Sequence, residues 1–199
     1  MRGLLSVLLE MVAVSVVLIP VYFALNRKVF HSYKRLLWYG LFSYYLVALY
    51  LLVGMPNVMY IRFDLVINLI PFVGMVDDFK NSILNILLFV PLGFFLPVLS
   101  VRYRAITKTV FLGFVISAVI EILQIFTFRA TDINDLITNT IGSFVGHLIY
   151  ECIIRKYPKF MHVIGEGQNC KLGIACSITI VIMFFFHPLL SLLMWRFIP

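Results

Sequence analysis

Ser117, Glu121 and Gln124 stand at i, i+4 and i+7, so one helix face carries a hydroxyl, a carboxylate and an amide. Asp132, Asp135 and Asn139 follow at i, i+3 and i+7, and Gly142 and Gly146 continue the same face of a second helix. Arg129 lies in the short stretch between the two. Such a set can bind a divalent cation through oxygen ligands. It can supply a general acid and base, with Glu121, Asp132 and Asp135 as the candidate catalytic groups. It can also hold a polar headgroup, with Arg129 gripping a phosphate or carboxylate. Asn85, Ser117, Gln124, Arg129 and Asn139 are then the candidate ligand-binding residues. The residues name no cofactor and leave metal dependence open.

Each of these residues also has a purely structural use. Asp132 can cap the second helix, with Asp135 at the third helical position near the positive end of the helix dipole. Arg129 can pair with an aspartate. Asn85, Asn139 and Gln124 can bridge helices as amides do in membranes. Glu121 is harder to account for in that way, because a buried carboxylate is costly glue.

The elements that position these groups follow from composition. The chain is 62% hydrophobic and 13% charged, more apolar surface than a 199-residue soluble core can hide. It reads as a single integral membrane domain over 1–199. The fold is all-α, a polytopic transmembrane bundle of about six helices. The candidate spans are Gly3 to Leu25, Leu36 to Met55, Ser82 to Ser100, Thr109 to Thr127, Leu136 to Ile154 and Leu172 to Leu193. The first lacks an A-x-A cleavage signature and reads as a retained span. The fifth carries Asn139, His147 and Glu151, which neighbouring helices would have to shield. Leu65 to Met75 is apolar but too short to span, so it reads as a re-entrant or interfacial segment of the outer face.

Orientation comes from lysine and arginine. Three segments, 26–35, 101–108 and 155–171, hold eleven of them, against five (Arg2, Arg62, Lys80, Arg129 and Arg196) on the opposite side. The positive-inside rule makes the first side cytoplasmic. The polar set then gathers at the external face of a multi-pass cell-membrane protein. The net charge of +7 belongs to these short loops and does not indicate a nucleic-acid partner. The partners expected are membrane lipid and an anionic envelope lipid or polymer, or a cell-wall precursor. Gly142 and Gly146 would let their helix approach a neighbour closely, the fourth helix by connectivity, and could equally serve a homo-oligomer.

Other polar residues suggest smaller roles. His147 and Glu151 at i, i+4 suit an interhelical hydrogen bond, and His187 beside Pro188 marks a bend. Glu10 either joins the outer set or partners another helix. Cys152, Cys170 and Cys176 are odd in number and lack metal-site spacing. No P-loop, dinucleotide fingerprint, G-x-S-x-G or H-E-x-x-H occurs.

The run from Asn85 through Phe89 and Pro91 to Gly93 resembles the N-x-x-x-F-x-P-x-G segment of VanZ-like proteins. Ser117, Glu121, Gln124, Arg129, Asp132, Asp135, Asn139, Gly142 and Gly146 resemble the family's next motif, and Asn68 to Phe72 is similar to its N-L-I-P-F element. The likeness covers about residues 36–150, with three separated elements in the family's order. The resemblance implies a membrane protein of the cell envelope, in a Gram-positive host. It also implies an association with reduced susceptibility to, or surface binding of, teicoplanin, a lipid-tailed glycopeptide antibiotic acting at the outer membrane surface. The family supplies no established catalytic residues. The alternative is a membrane-embedded enzyme that modifies an envelope lipid or cell-wall precursor through its Glu/Asp/Arg cluster. A transporter fits less well, since the polar set lies away from the midplane and no internal repeat occurs.

Overall fold

A computed structural model describes residues 4–59, 61, 63, 67–68, 70–72, 79–127, 131–157 and 169–197. The chain is an all-α membrane protein, with five helices long and apolar enough to cross a bilayer among the described residues. It divides into two compact units, residues 1–61 with 170–199 and residues 62–169.

In the first unit, α1 (Leu4–Leu25) runs on through a π-helical turn, Asn26–Phe30, before α2 (Tyr33–Val53). His31 closes that turn in the left-handed region at φ 51°, and Asn26 Oδ1 accepts the Ser32 amide at 3.1 Å. The hairpin is filled by aromatics: Phe30 stacks on Tyr39 at 4.7 Å and on Tyr22 at 6.0 Å. Tyr22 also bonds the Ser43 hydroxyl, so its phenol is satisfied inside the apolar interface. The last helix comprises α6 (Asn169–Val181), a π segment (Ile182–Phe186) and α7 (His187–Phe197). Val58 N–H donates to the Phe184 carbonyl within the π segment at 3.2 Å. The bend expected at His187 is therefore a change of helix type just ahead of it.

The second unit holds α3 (Phe79–Leu99), α4 (Ile106–Gln124) and α5 (Ile133–Lys156). Two-residue strands β1 (Ile67–Asn68) and β2 (Thr131–Asp132) pair in parallel ahead of α5. α5 has 24 residues, about 36 Å at 1.5 Å per residue, enough for a hydrocarbon core. Its polar content keeps it off the list of apolar spans, yet Thr138, Asn139, Ser143 and His147 are all buried in the unit. Its neighbours do shield them. The His147 ring contacts the Thr109 hydroxyl of α4 at 3.1 Å, and Glu151 pairs with Arg155 at 3.3 Å.

Glycine sets how close these helices come. A methyl group on Gly142 would sit 2.3 Å from the Ile86 carbonyl oxygen, and one on Gly146 only 2.0 Å from that of Val90. Gly93 answers from α3, where a methyl would lie 2.0 Å from the Ser143 carbonyl oxygen. The glycine face of α5 thus meets α3 rather than the expected α4. The short α4–α5 connection determines which helices are neighbours, but small residues choose which pair touches backbone to backbone.

Candidate functional site

The start of α5 is the meeting point of the polar residues. Asp132 is its N-cap, with Oδ1 accepting the Asn134 amide at 2.9 Å. Asp135 sits in the first turn, where the positive helix end favours a carboxylate. Three other segments add partners, two as donors and one as acceptor. Asn68 Nδ2 donates to Asp132 Oδ2 at 3.3 Å, and Asn85 Nδ2 from α3 donates to Asp135 Oδ1 at 2.7 Å. From α4, Glu121 Oε2 accepts the Asp132 amide at 3.0 Å, while the Glu121 carbonyl accepts the Thr131 hydroxyl at 2.9 Å. The Asn134 side chain in turn accepts the Phe72 amide at 2.7 Å, with Phe72 itself at φ 67°.

One turn deeper, Asn139 Nδ2 donates to the Ser117 hydroxyl of α4 at 2.9 Å. Both residues are buried. Asn139 Oδ1 is buried without a hydrogen-bond partner among the described residues. Glu121 is 5% exposed, and Gln124 is buried at the end of α4. Asp132 and Asp135 are half-buried. The site is therefore graded, with accessible aspartates at the tip, then a buried glutamate, then an amide–hydroxyl pair.

Of the residues singled out from sequence, Asn85, Ser117, Glu121, Asp132, Asp135 and Asn139 all make bonds in this unit, and Gln124 is buried on the same helix. Arg129 lies outside the described residues, as does most of Leu65 to Met75. The described parts of that stretch reach α5 through Asn68 and Phe72. Glu10 is not part of this group. It bonds His187 within the first unit. Sequence reasoning overlooked Thr131 and Asn134. Both lie within two residues of Asp132, and each side chain bonds main chain brought from elsewhere, Thr131 to the Glu121 carbonyl and Asn134 to the Phe72 amide. Among the described residues, no three His, Cys, Asp or Glu side chains gather at metal-binding spacing.

The VanZ/LLP1 family model matches residues 36–155, which take in most of α2 and all of the site. The chain belongs to the VanZ/LLP1 family. It is also similar to Protein VanZ of Enterococcus faecium, 40% identical over 85 residues. That alignment covers 42% of this chain, and the chain spans about half (52%) of that relative. No solved structure matches the chain. Within the VanZ/LLP1 match, the residues that converge at the α5 tip come from four places: Asn68, Asn85, Glu121 and the Thr131–Asp135 run. The VanZ/LLP1 region thus presents two half-buried carboxylates already held by amide donors, an arrangement with acceptor capacity fixed in direction.

Proposed function

We propose that the protein acts at the outer face of the cell envelope, where its α5 acidic tip lowers susceptibility to, or surface binding of, teicoplanin-type lipoglycopeptides. Membership of the VanZ/LLP1 family supports this. So does the excess of lysine and arginine in the segments at the other ends of these helices, which by the positive-inside rule favours an outer position for the tip. The carrying observation is the convergence of Asn68, Asn85 and Glu121 on Asp132 and Asp135. Two distant amides hold the two carboxylates and Glu121 holds the Asp132 main chain, more than a helix cap alone would need. The tip would act by engaging a donor-rich envelope lipid, polymer or cell-wall precursor through its carboxylate oxygens.

The test is surface binding of fluorescent teicoplanin to susceptible Gram-positive cells that express the protein. Wild type is compared with Glu121→Gln and Asp135→Asn at matched membrane levels. Wild type should lower binding, and both variants should restore it. Unchanged binding with wild type would remove this reading.

A second reading is favoured by Glu121 itself. A carboxylate only 5% exposed is costly to bury, even where it accepts the Asp132 backbone amide. It fits a general acid or base in a membrane-embedded enzyme acting on an envelope lipid or cell-wall precursor. Glu121→Gln keeps an oxygen acceptor but cannot exchange a proton, so full function in that variant would eliminate the enzyme.

A further inference from the structure

The first unit contains a second polar site that the acidic tip does not explain. Glu10 of α1 and His187 of α7 are 2% and 3% exposed, with Oε2 and Nε2 3.1 Å apart. Ser191, one turn beyond His187, donates to Glu10 Oε1 at 3.5 Å. This much is a clasp between two membrane helices, and a clasp would account for the buried charges. Two observations go beyond it. Among the described residues His187 Nδ1 is buried with no hydrogen-bond partner, a costly state for a ring nitrogen. In addition, His187 and Ser191 line a cavity of about 420 Å³ whose wall also holds Asn57, Leu192, Trp195 and Arg196.

We propose that this cavity binds the phosphodiester headgroup of a membrane lipid. Glu10 engages Nε2 and so holds the His187 ring at the cavity wall. Arg196 brings a positive charge to the cavity wall, and a phosphodiester carries one negative charge. The guanidinium fork suits phosphate oxygens. Trp195 and Leu192 are both largely exposed, and they give the glycerol and first acyl carbons an apolar wall. Tryptophan is the side chain favoured at headgroup depth. The volume falls within the roughly 300–1,000 Å³ common for small-molecule sites.

The test uses the purified full chain in an uncharged detergent, with binding followed by native mass spectrometry and thermal midpoint. The probes are dioctanoyl phosphatidylglycerol, dioctanoylglycerol and inorganic phosphate. Saturable binding of the phospholipid alone is expected, weakened about tenfold or more by Arg196→Gln. His187→Gln should weaken it similarly. If that variant fails to fold, Arg196→Gln decides alone, because Arg196 is exposed and outside the clasp. Equal affinity in Arg196→Gln would overturn the proposal. So would inorganic phosphate binding as tightly as the lipid, which would make the site one for a free anion.

Discussion

The two units bury polar groups in opposite ways. The first packs large side chains, among them the Phe30–Tyr39 stack, and buries the Glu10–His187 pair. The second brings main chains close at Gly93, Gly142 and Gly146 and, beside Glu121 and His147, spreads its buried polarity over short neutral side chains such as Ser117 and Asn139. Such a pair concentrates the penalty of removing polar groups from water in two residues that cannot be changed singly. A distributed set of hydroxyls and amides carries less risk per residue, but it depends on backbone proximity. Loss of a side-chain partner should therefore damage the first unit most, and gain of a side chain should damage the second.

The strongest break of this comparison is Glu10→Leu. It leaves His187 buried without its partner and should cost about 3–5 kcal/mol, while Glu10→Leu with His187→Leu should recover most of that loss. Unfolding midpoints of the purified protein measure both. Next is Gly146→Ala, whose methyl would meet the Val90 carbonyl oxygen at 2.0 Å. The helices must separate to admit it, at a cost of about 1–3 kcal/mol. Asp132→Ala removes the cap of α5 and should cost about 1 kcal/mol, with Asp132→Asn close to neutral for stability. The smallest effect has the opposite sign. Gly173 of α6 has open space around it, so Gly173→Ala should stabilise by up to about 1 kcal/mol through helix propensity. If Gly146→Ala and Gly173→Ala behaved alike, the contrast between the units would be lost.

Much of this was legible in the sequence where the cause is local. Apolar runs gave the spans, the polar run around Asp132 gave the helix start, and the spacing of Ser117 and Asn139 gave two faces that do meet. What could not be read was choice of partner. Gly142 and Gly146 announce a close approach but not to which helix, and the answer lay in Gly93 on α3. Glu10 and His187 are 177 positions apart, so no periodicity connects them. The β1–β2 pairing is two residues long on each side, too short to leave an alternating pattern.

The π segment Ile182–Phe186 has a further consequence. A π turn amounts to one added residue in an α-helix, and one residue is about 100° of rotation. Everything after Phe186 is therefore turned about a quarter of the way around relative to an uninterrupted helix. Deleting a single residue within Ile182–Phe186 would restore regular winding and swing His187 and Ser191 off the Glu10 bearing while leaving α6 untouched. The last helix thus behaves as two segments whose facings are set independently, and a single codon lost or gained there would re-aim the second without disturbing the first.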